Sequence, residues 1–195
     1  MSKSPIAIIV AALAPDFGIG LKGGLPWRLK QEMKYFRAVT SYSSQPNLKN
    51  AVIMGRKTWE SIPKKFRPLP DRVNVILSRS HQGAILEDGT ILVESLDAAI
   101  NLLQDQNIDK IYIIGGAQIY NQILNDERLT HVLLTEIESK QPVEMDTFID
   151  FDTSKWEKRS LADLKAFVGE TFETEIPENV TEGDYQYRYT MWTRK

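Results

Sequence analysis

The chain has 195 residues, 42% of them apolar, which is enough to close a substantial core in one domain and argues against a disordered or fibrous protein. A net charge of −2 with both signs interspersed leaves no basic footprint for nucleic acid and no cationic face for a membrane, and points to a small-molecule partner. With no cysteine there is no disulfide, thiolate nucleophile or Cys-based zinc site, and two isolated histidines offer little to a metal, so metal-free chemistry in a reducing compartment is expected.

The N-terminal "MSKSPIAIIVAALA" has the outline of a secretory signal, but it carries one lysine and its apolar run is short and rich in β-branched residues. A buried first strand over 6–13 explains it more simply. No run is long enough to span a bilayer. The stretch "LPWRLKQEMKYF" (25–36) then reads as an amphipathic helix. Leu29, Met33 and Phe36 share one arc, with Lys30, Lys34 and Arg37 turned away. Glu32 falls on the apolar edge, where an acid is out of place. A surface acid reaching past Phe36 to water is the commoner arrangement; a carboxylate facing a pocket is the other.

Further short apolar runs, "NAVIMG" (50–55), "VNVILS" (73–78) and "KIYIIGG" (110–116), end in Gly or Ser, as strands covered on both faces do. Helices fit between them. Ser95 is placed to cap a helix through Leu96, Ala99, Ile100 and Leu103, and another runs from Ala117 to Leu124. This βαβαβ order predicts a mainly parallel sheet with right-handed crossovers. After residue 130 "THVLLTEIE" is another strand, while "WEKRSLADL" and "YQYRYTMWTR" alternate like antiparallel edge strands. The stretches 40–50, 139–146 and 169–184 read as surface loops, and Asn179-Val180-Thr181 as a chance glycosylation acceptor. The whole is an α/β three-layer sandwich in a single domain, 1–195.

Three strand ends carry the same chemistry. Gly115-Gly116 lies between a strand and a helix start, Gly55 precedes Arg56, Lys57 and Thr58, and Ser78 precedes Arg79. Cations at a helix N-terminus are unfavourable unless an anion joins them, and open α/β sheets bind ligands at such ends. Taken singly, each is as well explained by a tight turn or a surface arginine. Together they suggest one polyanionic ligand across the sheet edge.

The segments "GIG" (18–20), "LPWRL" (25–29) with Glu32 and Phe36, "MGRKTWESIP" (54–63), "PLPDR" (68–72), "ILSRS" (76–80), "IIGGAQIY" (113–120) and "DTF" (146–148) together resemble the dihydrofolate reductase family, in order and spacing over almost the whole chain. The long 40–50 and C-terminal insertions look like the eukaryotic, fungal, single-function form. One departure is "DTFIDFD", where an aromatic residue and a proline would follow the Phe, which leaves the packing of that edge open.

The resemblance implies NADPH-dependent reduction of 7,8-dihydrofolate to tetrahydrofolate, with hydride to C6 and a proton to N5, in support of one-carbon metabolism and thymidylate and purine synthesis. It implies that Glu32 orients the pterin, with a water delivering the proton, and that Leu25 and Trp27 belong to the catalytic group. Ile9, Val10, Ala11 and Thr135 would frame the pterin, Phe36, Ser61, Ile62, Phe66 and Leu69 would line the channel for the aminobenzoyl group, and Met33, Ile114 and Tyr120 would also bind the substrate. Arg72 would grip the glutamate α-carboxylate. Ala11, Ile19, Gly20 and Gly23 would meet the nicotinamide end of NADPH, in a loop made mobile by Gly18, Gly20, Gly23 and Gly24. Gly55, Arg56, Lys57, Thr58, Leu77, Ser78, Arg79, Gly115, Gly116, Ala117, Gln118, Ile119 and Tyr120 would hold the rest of the cofactor. A cis peptide joining Gly115 to Gly116 is also implied, and a Cβ on Gly116 is expected to crowd both that turn and the cofactor. The expected partners are dihydrofolate and folate analogues, with no nucleic acid, membrane or metal, in a monomer. The expected location is cytoplasmic without a signal peptide, with room for a mitochondrial pool besides. A pterin or pyrimidine reductase of riboflavin synthesis would not need Glu32 together with Arg72, and a non-catalytic nucleotide-binding module would leave Glu32 idle.

Overall fold

The structure is a computed structural model describing residues 3–80 and 83–195. His81 and the first two residues of the signal-like leader lie outside the described residues. In chain order the strands are β1 (Ile6–Leu13), β2 (Gly18–Gly20), β3 (Lys49–Gly55), β4 (Arg72–Leu77), β5 (Ala84–Ile85), β6 (Ile91–Val93), β7 (Ile108–Ile113), β8 (His131–Ser139), β9 (Thr147–Phe148), β10 (Trp156–Lys158), β11 (Val180–Glu182) and β12 (Tyr185–Arg194). The α-helices are α1 (Lys30–Ser41), α2 (Arg56–Ser61), α3 (Leu96–Gln104), α4 (Ala117–Leu124) and α5 (Leu161–Val168).

The strands form one sheet whose main path is β10-β12-β8-β1-β7-β3-β4-β6-β5. Neighbours from β8 to β6 are parallel, while β12 and β5 join antiparallel at either side. The period of two in β1 sorts the core. Ile6, Ile8, Val10 and Ala12 pack with α3 and α4, whereas Ala7 and Ile9 face Tyr35 and Val39 of α1 and Leu164 and Val168 of α5. Helices on both faces of a mainly parallel sheet give the three layers, and explain why the central strands read as continuous apolar runs.

Several boundaries depart from the sequence expectation. The run at 110–116 is strand only as far as Ile113, because the glycine pair breaks away to start α4. "WEKRSLADL" is not one edge strand. It divides into β10 and α5, with the Ser160 hydroxyl accepting from the Asp163 amide at 3.1 Å, a cap that overrides the local alternation. β12 joins antiparallel on the outer side of β8, and its own outer edge is paired only at its two ends, by β11 at Tyr185–Tyr187 and by β10 at Trp192–Arg194. The 169–184 segment is not merely a surface loop, since Ile176 and Val180 are buried and β11 pairs with β12.

The departure at 146–152 is accommodated by aromatic packing. Phe151 is buried, edge-on to Phe17 at 5.7 Å and to Trp192 at 5.3 Å between ring centroids. Gly18 lies where an added Cβ would sit 2.5 Å from Met145, so this glycine allows the close packing of β2 there. Peptide bonds are cis at Ala14–Pro15, Arg67–Pro68 and Gly115–Gly116. No helix among the described residues is long and apolar enough to cross a membrane.

Candidate active site

Parallel strands bring their C-terminal ends to one edge, and β1, β3, β4 and β7 open there onto a cleft of about 1390 Å³. Two strand ends are tied directly, the Gly55 amide donating to the Gly115 carbonyl at 2.8 Å. At these ends α2 and α4 begin on Gly55 and Gly116, and neither helix start is capped by a side chain. The leading amides of α4 therefore point into the cleft with the positive end of the helix dipole behind them. Arg56, Lys57 and Arg79 line the same wall, with Thr58, Leu77 and Ser78 between them. Arg56 is held by Glu60 at 3.0 Å in an exposed i,i+4 pair, a contact weak enough to yield to a stronger anion.

The opposite wall is apolar and built around one acid. Ile9, Val10 and Ala11 of β1, Ile114, Phe36 and Tyr120 line it, and the Tyr120 hydroxyl donates to the Ile9 carbonyl at 3.0 Å. Glu32, in the first turn of α1, reaches into this end of the cleft. Thr135 Oγ1, buried in β8, donates to Glu32 Oε1 at 3.1 Å. Burial pushes the Glu32 carboxyl up to about 7; the Thr135 hydrogen bond pulls the other way, and the Glu182 charge adds to the rise. The buried face of α1 is Tyr35 and Val39, so the arc bearing Phe36 and Glu32 is a cleft wall rather than a core face.

Of the remaining expected site residues, Leu25, Ile19, Gly20, Gly23 and Ser61 line the cleft, as do Gly115, Gly116, Ala117, Gln118 and Ile119. Seven do not line it. Trp27 is buried edge-on against Tyr185 at 5.9 Å, and Thr135 lies behind Glu32. Met33 and Phe66 are exposed. Ile62 and Leu69 pack onto the core face shared with α1, and Asn74 makes two hydrogen bonds to the Leu69 backbone. Arg72 is buried, its Nη1 donating to Thr40 Oγ1 and its Nε to the Pro70 carbonyl, each at 2.9 Å. Burial chiefly, and then Arg37, lower its pKa to about 10, so it stays protonated at neutral pH. Among the described residues it has no carboxylate partner.

Sequence reasoning missed Glu94, Ser95, Leu96, Ser80, Gln122 and Thr147, which also line the cleft. The strand-end rule applied to Gly55, Ser78 and Gly115 extends to the end of β6 and would have found the first three. Gln122 lies one helical turn beyond Gln118.

A family model described as dihydrofolate reductase matches residues 6–176. The chain is 51% identical to the dihydrofolate reductase of Candida albicans, covering 100% of both chains. It is 43% identical to that of Saccharomyces cerevisiae, covering 99% of this chain and 98% of the other. The solved dihydrofolate reductase of Schistosoma mansoni superposes over 100% of both chains with a TM-score of 0.79 at 34% identity. Matches of this extent, in a molecule whose cleft sets a half-buried acid opposite a cationic, glycine-edged wall, have one family reading: the chain belongs to the dihydrofolate reductase family.

Proposed function

We propose that the protein reduces 7,8-dihydrofolate to tetrahydrofolate with NADPH, and that the reaction takes place in the cleft between Glu32 and the Gly115–Gly116 turn. The observation that carries this is Glu32, a carboxyl set in an apolar wall, held by Thr135 and raised to about 7. An acid in that state can accept from a flat heterocycle bearing an amino group and also keep a proton at neutral pH.

The cationic wall fits a dinucleotide bearing an extra phosphate. The glycine edge leaves space for backbone approach, the uncapped amides of α4 suit a pyrophosphate, and Arg56, Ser78 and Arg79 lie where a 2′-phosphate would be held. NADPH, when bound, supplies the hydride. The chain's own residues orient and protonate. Ionised Glu32 accepts hydrogen bonds from the 2-amino and N3 side of the pterin, which fixes the ring against Ile9, Val10 and Phe36. That pose keeps the carboxyl away from N5, so a water carries the proton there, and the charge state of Glu32 governs how readily it arrives. Arg72, a buried cation with two neutral acceptors, takes the α-carboxylate of the glutamate tail.

The test follows NADPH oxidation with and without dihydrofolate in the parent protein. Oxidation that depends on dihydrofolate is expected; oxidation without it, or none with it, would overturn the proposal.

A further inference from the structure

We infer that Glu182, at the end of β11, is a positioning residue for this reaction: its carboxylate caps the helix turn that carries Glu32, and so fixes where that acid stands. The residue that precedes α1, Leu29, supplies no side-chain cap. Its first two amides are satisfied from 151 and 152 residues away, Lys30 N donating to Glu182 Oε2 at 2.8 Å and Gln31 N to Glu182 Oε1 at 2.9 Å. A carboxylate accepting two leading amides at once closes the helix start as a capping side chain does, and offsets the dipole there. Both carboxylate oxygens are used, so the first turn is fixed in orientation as well as position.

The same hairpin grips the turn at two further points. β11 returns into β12 through Gly183, with Glu182 opposite Tyr185. Tyr185 packs edge-on against Trp27 just before α1, and the Tyr189 hydroxyl donates to the Gln31 carbonyl at 3.2 Å. The amide of Gln31 is thus held by β11, its carbonyl by β12, and Glu32 is the next residue. The groups facing Glu32 are Thr135 from β8, Glu182 from β11, Tyr35 on its own helix, Tyr120 from α4 and Tyr187 and Tyr189 from β12. Burial keeps the phenols neutral, which leaves Glu182 the one charged neighbour among them. Removing its negative charge eases ionisation of Glu32.

Glu182 acts through Glu32, so this role rests on the assignment of Glu32 made above. The experiment compares parent, Glu182→Ala, Glu182→Gln, the exposed-site control Glu178→Ala and Glu32→Gln, reading kcat and KM for dihydrofolate across pH together with thermal melting. The Glu182 variants are expected to move the midpoint of the kcat profile down by roughly half a pH unit, and to lower kcat about threefold on its alkaline side. NADPH affinity should hold. Glu178→Ala should match the parent. A Glu182→Ala profile superimposable on the parent, whatever happens to its melting temperature, would show a cap that serves stability alone. If Glu182→Ala does not fold, Glu182→Gln, which keeps the side chain's length and one of the two acceptor contacts, decides in the same way. Full turnover by Glu32→Gln would instead overturn the assignment of Glu32, independently of the Glu182 result.

Discussion

Thr135 and Glu32 lie 103 residues apart and meet at 3.1 Å, the hydroxyl of β8 donating to the carboxylate of α1. The parallel register of β8 on β1, with Thr135 opposite Ala11, brings this hydroxyl to the cleft edge of the sheet. Thr135→Val keeps the shape and removes the donor. This hydrogen bond lowers the Glu32 pKa, so its loss should raise the midpoint of the kcat profile by about one pH unit, opposite in direction to the Glu182 variants. KM for dihydrofolate should rise with it. An unmoved midpoint would show that Thr135 does not set the charge of Glu32.

Glu32 should cost stability where it serves chemistry. Its folded pKa is raised from 4.5 to about 7, so its contribution to stability is fully present below pH 4.5 and lost as pH rises through 7. The lift corresponds to ~3 kcal/mol. Glu32→Gln carries no such loss, and its amide oxygen still accepts from Thr135. The variant should melt well above the parent at alkaline pH and near it at pH 4, while losing most dihydrofolate reduction at neutral pH. Parallel melting curves across pH would count against a buried, titrating Glu32.

Arg72→Leu separates the substrate's tail from its ring. A charge-assisted hydrogen bond contributes about 1.5–3 kcal/mol, so dihydrofolate should bind roughly ten- to a hundredfold more weakly. A pterin without the glutamate tail should bind nearly as before, and it reports any damage caused by leaving Thr40 and Pro70 without their donor. Equal losses for both ligands would remove Arg72 from the tail site.

Arg79→Ala addresses cofactor choice. Arg79 is exposed on the cationic wall beside Ser78. Loss of one charged hydrogen bond should narrow the preference for NADPH over NADH by roughly one to two orders of magnitude. Titration with both cofactors reads this directly, and equal weakening would place the 2′-phosphate elsewhere.

The features that could be read from the sequence were those written locally. β1 and the centres of β3, β4 and β7 are apolar runs long enough to need cover on both faces, and α3 and α4 carry their caps or glycine breaks beside them. Glu32 stood out because a local rule was broken there. Long-range relationships were not visible. Nothing near Leu29 announces that its helix is capped by Glu182, nor near Trp27 that Tyr185 turns its ring into the core. Alternation in "WEKR" favoured a strand until the Ser160 cap ended it.

The glycine pair distinguishes space from conformation. A Cβ on Gly116 would meet only Thr58 Oγ1 at 3.6 Å, an ordinary contact, so the crowding expected there does not arise within the protein. Gly115 is the demanding position. Its φ is +122°, and a Cβ there would lie 3.3 Å from the Tyr120 hydroxyl that anchors the Ile9 carbonyl. Gly115→Ala therefore meets two penalties, a backbone conformation costing roughly 1–2 kcal/mol for an L-residue and a push on Tyr120 in the cleft wall. Gly89→Ala is the matched control. Its φ is +88° with nothing within 4 Å of the added Cβ, so it carries the backbone cost without touching the cleft. Gly115→Ala should lose more stability than Gly89→Ala in thermal melts, and only Gly115→Ala should also lose NADPH affinity in a titration. If Gly115→Ala binds NADPH like the parent, the turn is a structural corner and the cofactor's phosphates are held elsewhere along the wall.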